Sequence, residues 1–201
     1  MGRPKEHDEL TRAALRAAAE RIVAAGGAGA LSVRAVADGA GTTTRAVYSV
    51  FGSKDGLVDA LAQTAFEFLF TEIDALPETV DPVADLVDVG VKVFRRLVRE
   101  HPALYRIAFQ RVAPELRAGP ELTASRERAF AQLQARIRRL EEAGLLGRIS
   151  LRDATIVFEA VMEGLANAEL RGATLRILPE GEEEQAWNDA LVNVVRGFRA
   201  S

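Results

Sequence analysis

Apolar side chains recur at helical spacing along nearly the whole chain, and no stretch alternates between apolar and polar residues as a half-buried strand would. Between residues 8 and 25 the apolar positions fall on one helical face, and Gly26 with Gly27 ends the pattern. That face is formed by Leu10, Ala14, Leu15, Ala18, Ile22 and Val23. The pattern predicts an all-α protein.

Capping residues, prolines and glycines divide this pattern into about nine helices. Ser32 and Ser53 stand at predicted helix starts, Pro77 stops the fourth helix, and Pro82 and Pro102 lie in first turns. We expect helices at 8–25, 33–39, 44–50, 54–75, 82–100, 102–112, 121–143, 151–171 and 182–199. Four short or medium helices thus precede a five-helix body.

Two of the short helices have the dimensions of a helix-turn-helix motif. Residues 32–38 and 43–50 are joined by the turn at 39–42, in which Gly41 suits a positive φ angle. Small apolar residues along both helices would lock them at an angle. These residues are Val36, Ala37, Ala46, Val47 and Phe51.

The start of the second short helix has side chains suited to reading DNA. In DNA-binding versions of the motif this helix enters the major groove, with its N-terminal residues against base edges. Thr43, Thr44 and Arg45 stand at that end. Arginine can pair bidentately with guanine, and threonine offers a hydroxyl and a methyl group. The segment therefore predicts contact with double-stranded DNA.

One block of sequence carries a family resemblance. It consists of LSVRAVA at 31–37, Ala40 with Gly41, and VYSVFGSKDGL at 47–57. With these residues the chain resembles the TetR (tetracycline repressor) family of bacterial transcriptional regulators. The resemblance implies an N-terminal three-helix helix-turn-helix DNA-binding domain, residues 1–54, and a C-terminal helical ligand-binding and dimerisation domain, residues 55–201.

The resemblance also implies which residues contact DNA. Hydroxyl and backbone N–H groups at helix starts would bind phosphates, and side chains within the motif would read bases. Ser49 is also counted among the implied DNA contacts. Ser49 and Val50 nevertheless depart from the family pattern, which often has an aromatic residue or histidine at these positions. The implied phosphate contacts are Ser32, Thr43, Tyr48 and Lys54, and the implied base contacts are Arg34, Thr44 and Arg45.

Each of these residues also has an ordinary structural explanation. Arg34 and Arg45 could be solvated surface charges, and the threonines at 42–44 could serve only as a helix cap. Tyr48 could be a core residue, with its hydroxyl bound to water or a protein group. These alternatives stay open on the sequence alone.

The N-terminal part of the chain is slightly basic, whereas the chain as a whole is acidic. Residues 1–56 contain eight Lys and Arg residues and six Asp and Glu residues. The full chain contains 26 Lys and Arg residues and 29 Asp and Glu residues. Arg3 and Lys5 could form an arm in the minor groove of DNA or a solvated tail. The asymmetry supports a nucleic-acid module joined to an acidic body.

A single helix-turn-helix reads only half of a palindromic site, so we expect a homodimer. The resemblance implies that the last two helices of each subunit form a four-helix bundle. The alternative is that their apolar stripes complete the core of one chain. The expected interface residues are Phe158, Met162, Leu165, Trp187, Leu191, Val194, Val195 and Phe198.

The resemblance also implies that the helical body binds a small-molecule effector, among apolar side chains. The walls suggest a mostly apolar or aromatic effector, and Glu159 with Glu163 would suit a dicationic variant. The expected lining residues are Phe66, Phe70, Val93, Tyr105, Phe109, Gln110, Phe130, Gln134, Phe158, Glu159, Met162 and Glu163.

Composition argues against an enzyme and predicts no catalytic residue, metal or cofactor. The chain has no Cys and two His, which excludes thiolate nucleophiles, disulfides and cysteine-based zinc sites. It has no metalloprotease, nucleophile-elbow, P-loop or dinucleotide motif. The N-terminus lacks the apolar core of a signal peptide, and no run approaches the roughly 18 apolar residues of a membrane span. Together with these absences, the resemblance to the TetR family implies a cytoplasmic transcriptional repressor, with a helical protein-interaction adaptor or, less readily, an all-α enzyme as alternatives.

Overall fold

The computed structural model describes residues 3–110, 118–172, 178–179 and 181–199. Nine helices and no strand occur in these ranges, which confirms the prediction of an all-α fold. The helices are α1 (Arg3–Gly26), α2 (Val33–Gly39), α3 (Thr44–Phe51), α4 (Lys54–Ala75), α5 (82–100), α6 (Pro102–Phe109), α7 (Pro120–Glu142), α8 (Leu151–Leu170) and α9 (Glu183–Arg199). A single 3-10 turn, Ala28–Ala30, lies between α1 and α2.

Two helix boundaries differ from the prediction. Helix α1 begins at Arg3 rather than near residue 8, although the side chains of Arg3 and Lys5 lie outside the described part of the structure. Helix α6 ends at Phe109 rather than near residue 112. It ends there because Gln110 leaves the helical φ and ψ angles and closes the last turn through its N–H to the carbonyl of Arg106.

Helix α5 contains a change of helix type that its sequence pattern does not reveal. It runs as an α-helix over Pro82–Asp88, as a π-helix over Val89–Phe94 and again as an α-helix over Arg95–Glu100. Within the π stretch, a Cβ atom on Gly90 would lie 2.2 Å from Cδ1 of Leu191. Only glycine allows α5 to approach α9 this closely.

The described residues form two compact units. The first consists of the described residues within Met1–Phe66 and His101–Arg126, and the second of those within Glu67–Glu100 and Glu127–Ser201. In the first unit α1 packs against α2, α3 and α6. The Glu20 carboxylate on α1 also bonds Nδ1 of His101, at 2.9 Å. The predicted domain boundary between residues 54 and 55 concerns function and stays a prediction.

The core of the second unit contains both apolar residues and a buried ionic cluster. Arg136 is 4% exposed, and its guanidinium donates to the carbonyl oxygens of Ile73, Leu76 and Pro77 at the C-terminal end of α4. The carbonyl of Ile73 also accepts from the N–H of Leu76, and Leu76 and Pro77 follow the last residue of α4, so the arginine serves as a C-cap. The apolar core includes Leu86, Val93, Phe94, Leu97, Ile137, Phe158, Trp187 and Leu191.

Asp85 is the buried carboxylate of this cluster. Its side chain accepts hydrogen bonds from the backbone N–H and hydroxyl of Thr79 and from Arg139. Burial by itself raises the pKa of Asp85, but the hydrogen bonds from Thr79 and Arg139 outweigh it, so the pKa lies below its ordinary value. Asp85 is therefore a charged part of the fold at neutral pH.

Candidate nucleic-acid interface

Both helices of the motif begin at a hydroxyl-bearing cap. Ser32 Oγ accepts a hydrogen bond from the N–H of Ala35 at 3.1 Å, and Thr43 Oγ1 accepts one from Ala46 at 3.2 Å. Of the three threonines at 42–44, Thr43 is thus the cap of α3. An accepting hydroxyl keeps its own proton, which it can donate to a phosphate oxygen.

The turn between α2 and α3 has the geometry that its glycine predicts. Gly41 adopts a φ of 65°, in the left-handed region. The N–H of Thr42 returns to the carbonyl of Ala37 at 2.9 Å, which closes the end of α2. Gly52, at a φ of 73°, ends α3 in a similar way. These two turns set the orientation of α3 relative to α2, which precedes it, and to the start of α4, which follows it.

Apolar contacts then hold α3 against the rest of the first unit. The predicted residues Val36, Ala37, Val47 and Phe51 are buried, and Ala46 is half-buried. The packing of α2 on α3 is therefore confirmed. It leaves the opposite side of α3 exposed.

Two arginines of α1 support this arrangement, and the sequence pattern predicted neither contact. The guanidinium of Arg12 lies over the ring of Phe51, 5.5 Å from its centroid. Arg21 donates from Nη2 to the carbonyl of Gly39 at the end of α2, at 3.2 Å. Helical spacing places both on α1, but only the fold reveals which neighbours they reach.

The side chains predicted to contact DNA all lie on the surface. Tyr48 is 53% exposed, so the alternative in which it is a core residue is wrong. Within the described part of the chain, Arg34, Arg45 and Lys54 form no ion pair, and their charges are available to a phosphate or a base. The exposed predicted residues are Ser32, Arg34, Thr43, Thr44, Arg45, Tyr48, Ser49 and Lys54.

Three of the predicted effector-pocket residues meet in the first unit. The rings of Phe66 and Phe109 have centroids 5.3 Å apart and are tilted, and those of Tyr105 and Phe109 are stacked at the same distance. Phe66 and Tyr105 are buried, whereas Phe109 is half-buried. Gln110, which was predicted to orient a ligand, is exposed.

The other predicted pocket residues belong to the second unit. Arg128 lies over the ring of Phe70, 5.6 Å from its centroid. Loss of water contact, and secondarily the charge of Glu159, raises the pKa of Glu163. Val93, Phe158 and Met162 are buried, and Phe70, Phe130, Gln134, Glu159 and Glu163 are half-buried. That these side chains line an effector pocket stays a prediction.

The predicted interface residues lie mainly inside the chain. Leu165 and Val194 keep part of their surface exposed. Ile156 and Val157, on another side of α8, are exposed and were missed, because an apolar pattern alone does not distinguish core from interface. Phe158, Met162, Trp187, Leu191, Val195 and Phe198 are buried in the single chain. This burial favours the alternative in which the stripes form the core of one chain, and the dimer contacts stay a prediction.

Comparison with protein families tests the resemblance directly. The model described as "Bacterial regulatory proteins, tetR family" matches residues 15–61. The model described as "Tetracyclin repressor-like, C-terminal domain" matches residues 90–194, which is more than half of the chain. The chain belongs to the TetR family. Its fold is that of a DNA-binding transcriptional regulator.

Solved structures of TetR-like proteins have the same fold. The TetR family regulator PfmR from Thermus thermophilus is 21% identical with a TM-score of 0.68, over 90% of this chain and 97% of its own. The fatty acid degradation regulator FadR from Bacillus halodurans is 14% identical with a TM-score of 0.71, over 90% and 93%. RolR in complex with resorcinol is 18% identical with a TM-score of 0.64, over 98% and 96%. A search of curated proteins found no match.

The described residues of this TetR-family chain contain neither a cluster of metal ligands nor a helix that could cross a membrane. Among the described residues, no three His, Asp or Glu side chains come together as metal ligands. No helix within the same residues combines the length and the apolar character that a membrane crossing requires.

Proposed function

We propose that this TetR-family chain is a cytoplasmic repressor that binds a palindromic operator as a homodimer and is released by a small, mostly apolar effector. The observation that carries the proposal is the separation of roles on α2 and α3. Their apolar residues are buried against each other. The hydroxyl and guanidinium groups on these helices and at their caps, and the ammonium group of Lys54 at the start of α4, are exposed and form no ion pair within the described residues.

The exposed groups divide into two kinds of DNA contact. In the proposed complex the capping hydroxyls of Ser32 and Thr43 donate to phosphates, as do the hydroxyl of Tyr48 and the ammonium of Lys54. Arg34, Thr44 and Arg45 meet base edges in the major groove, and Ser49 lies beside them. Residues 1–54 would then be the DNA-binding domain, and residues 55–201 would bind the effector and the second subunit.

The dimer is proposed to form through α8 and α9. Six of the eight residues assigned to this contact are buried in one chain, so their part is to hold the two helices together. The surface that remains for a partner comes from Leu165 and Val194, and the exposed Ile156 and Val157 add apolar surface on another side of α8. Two helices from each subunit would form a four-helix bundle.

The effector is proposed to be mostly apolar or aromatic. The contacts among Phe66, Tyr105 and Phe109 support an aromatic ligand, because flat rings favour offset or tilted stacking on one another. RolR, whose structure holds the aromatic molecule resorcinol, has the same fold. The half-buried Glu159 and Glu163 leave a cationic effector as the variant.

Release is proposed to follow a shift of α4. This helix begins at Lys54, a proposed phosphate contact, and continues without interruption to Ala75. A shift of α4 would change the separation of the two recognition helices, which must match one turn of DNA, about 34 Å. The effector must bind the released conformation more tightly than the DNA-bound one. An operator affinity that is the same with and without the effector would contradict this mechanism.

Binding-site selection with the purified protein tests the proposal. We expect the enriched DNA sequences to be palindromes whose half-sites lie about one helical turn apart. Enrichment of single half-sites would contradict the dimer, and no enrichment at all would contradict operator recognition. Affinity for the selected site should also fall steeply with salt, since phosphate contacts release counterions.

Paired variants distinguish a regulator from an adaptor. The double variant R45A/Y48A should lose operator binding and keep its helical circular dichroism spectrum. R138A is the matched control, because Arg138 is an exposed arginine on α7. Retained operator binding in R45A/Y48A would show that α3 is not the reading element.

A further inference from the structure

A cleft of about 410 Å³ in the second unit has a basic lining that the proposed function does not use. Four cationic side chains of α5 face it, at positions i, i+3, i+4 and i+7, so they share one side of the helix. The cleft is lined by Val91, Lys92, Arg95, Arg96, Arg99, Glu100 and Glu184. Its volume is in the range of sites that hold small molecules.

Arg95 forms the deep part of the cleft and has a fixed orientation. It is 5% exposed, and its Nε donates to Oε2 of Glu169 at 3.1 Å. The same Glu169 oxygen accepts a hydrogen bond from Nε1 of Trp187 at 2.7 Å. Because these buried hydrogen bonds set the guanidinium in place, an anion that reaches it has less ordering to do.

Glu184 occupies the other side of the Arg95 guanidinium. Its Oε2 accepts from Nη1 of Arg95 at 3.2 Å, yet its side chain is 71% exposed. An ion pair this exposed adds little stability, since water solvates the carboxylate almost as well. Glu184 is therefore a carboxylate that already sits on Arg95 and that another anion can displace.

The rim of the cleft adds three cationic side chains, two of which already pair with carboxylates. Lys92 pairs with Asp88, and Arg96 pairs with Glu72. Arg99 is exposed and forms no ion pair within the residues that the structure describes. Asp88, Glu72 and Glu169 lie outside the lining but pair with Lys92, Arg96 and Arg95, so among the described residues Arg99 is the lining cation that no carboxylate neutralises.

We propose that this cleft binds a small molecule bearing two or more carboxylate or phosphate groups. One anionic group replaces Glu184 on Arg95, and a second pairs with Arg99. Guanidinium groups suit both kinds of anion, because their paired N–H donors match two oxygen atoms at once. The site lies within the second unit and involves none of the proposed DNA contacts.

Trp187 makes binding measurable in the free protein, because it is the only tryptophan of the chain and contacts Arg95 through Glu169. We would titrate the full-length protein with pyrophosphate and, separately, with citrate at roughly 50 mM salt, where screening is modest. Tryptophan fluorescence and calorimetry should both report one site per chain. Binding of pyrophosphate alone would assign the site to phosphates, and binding of citrate alone would assign it to carboxylates.

Three variants decide whether the cleft is the site. R99Q should lower the affinity for the anion about tenfold, because it removes one charge-assisted contact. E184Q should raise the affinity for the anion about threefold, because it removes the competing carboxylate. R138Q, an exposed arginine outside the cleft, should leave the affinity unchanged.

Operator binding without any anion, measured on the same samples, separates this inference from the proposed function. R99Q should bind the operator as the unaltered protein does. The inference is overturned if neither anion binds at about 10 mM, well above the concentrations at which useful sites are half-filled. Equal weakening by R99Q and R138Q would also overturn it, since that result means diffuse attraction to surface charge. So would an E184Q affinity no higher than that of the unaltered protein.

Discussion

The recognition surface on α2 and α3 and the pair of C-terminal helices α8 and α9 use their residues in opposite ways. In α3 the buried residues, Val47 and Phe51, are different from the exposed residues assigned to DNA. In α9 the buried residues Trp187, Leu191, Val195 and Phe198 make up most of the residues assigned there to the dimer contact. On α3, the residues that stabilise the fold are thus different from the residues assigned to binding. On α9, most of the residues assigned to binding also stabilise the fold.

The difference has a physical origin. An exposed polar side chain on a short helix, such as that of Arg45, adds no packing energy to the core, so it can be replaced without loss of folding. An apolar side chain gains the same transfer free energy whether its own chain or a second subunit covers it. Substitutions can therefore separate function from folding in the first region, whereas in the second they affect both.

Trp187→Ala should have the largest effect. Trp187 is 1% exposed and its ring lies near that of Phe94, with centroids 6.5 Å apart. Loss of the indole leaves a cavity and removes the hydrogen bond to Glu169, so the free energy of unfolding should fall by about 3–5 kcal/mol. Urea unfolding followed by circular dichroism measures this change.

Val194→Ala is the control on the same helix. Val194 is half-buried, so its substitution should lower the free energy of unfolding by no more than about 1 kcal/mol. If the two variants unfold at the same urea concentration, Trp187 is not a core residue. The contrast between α3 and α9 would then disappear.

Asp85→Asn should have the next largest effect and extends the comparison to a buried charge. The amide accepts fewer hydrogen bonds than the carboxylate and leaves donors on Thr79 and Arg139 unsatisfied, at a cost of about 1–3 kcal/mol. Because the folded-state pKa of Asp85 is lowered, its contribution is complete above the ordinary aspartate pKa, about 3.9, and is lost as the pH falls through the folded-state pKa.

The measurement is the free energy of unfolding of both proteins as a function of pH. The gap between unaltered protein and D85N should be constant from about pH 5 to 7 and should narrow below about pH 4. A gap that keeps its size at lower pH would mean that the charge of Asp85 contributes nothing to folding.

The fold was largely predictable because its signals are local. Apolar spacing identifies each helix, and the caps Ser32, Thr43 and Ser53 mark where three of them begin, since a hydroxyl bonds N–H groups only a few residues away. The turn at Gly41 is local in the same sense. The exposed positions of the predicted DNA contacts follow from these elements.

What escaped prediction depends on residues distant in sequence. Arg136 reaches carbonyls of α4 some 60 positions earlier, and Arg95 reaches Glu169 and Glu184 across 74 and 89 positions. The π stretch around Gly90 belongs with the close approach of Leu191 from α9. No local pattern contains such pairs, so only the folded chain reveals them.

Two single substitutions, one on α3 and one on α4, should have smaller effects and leave the stability of the fold unchanged. Arg45→Ala should cost about 1–3 kcal/mol of operator binding and relax the preference at one base pair, since it removes a base contact. Lys54→Ala should weaken all sequences alike and reduce the salt dependence by about one counterion. Binding-site selection at two salt concentrations compares them.

Both variants must unfold as the unaltered protein does, because Arg45 and Lys54 are exposed and form no ion pair within the described residues. A loss of stability in either variant would mean that a residue assigned to DNA binding also stabilises the fold. If both variants weaken every sequence equally, the division between base and phosphate contacts is wrong.

Glu163→Gln should have the smallest effect, and its sign is opposite to that of the other stability changes. Loss of water contact and the charge of Glu159 raise the folded-state pKa of Glu163, so its ionised form destabilises the fold at neutral pH. The neutral glutamine should raise the melting temperature at pH 7 by about 1–2 °C. At pH values below the ordinary glutamate pKa, about 4.3, the difference should vanish, because both proteins are then neutral at this position.

Glu141→Gln, at an exposed position of α7, is the matched control and should leave the melting temperature unchanged. A melting temperature for E163Q equal to or below that of the unaltered protein would mean that Glu163 makes a compensating contact in the folded chain. An increase would identify α8 as a helix that carries an unfavourable charge in the absence of a ligand. A cationic effector would relieve that charge, so E163Q should also respond more weakly to such an effector, whereas its response to a neutral aromatic effector should be unchanged.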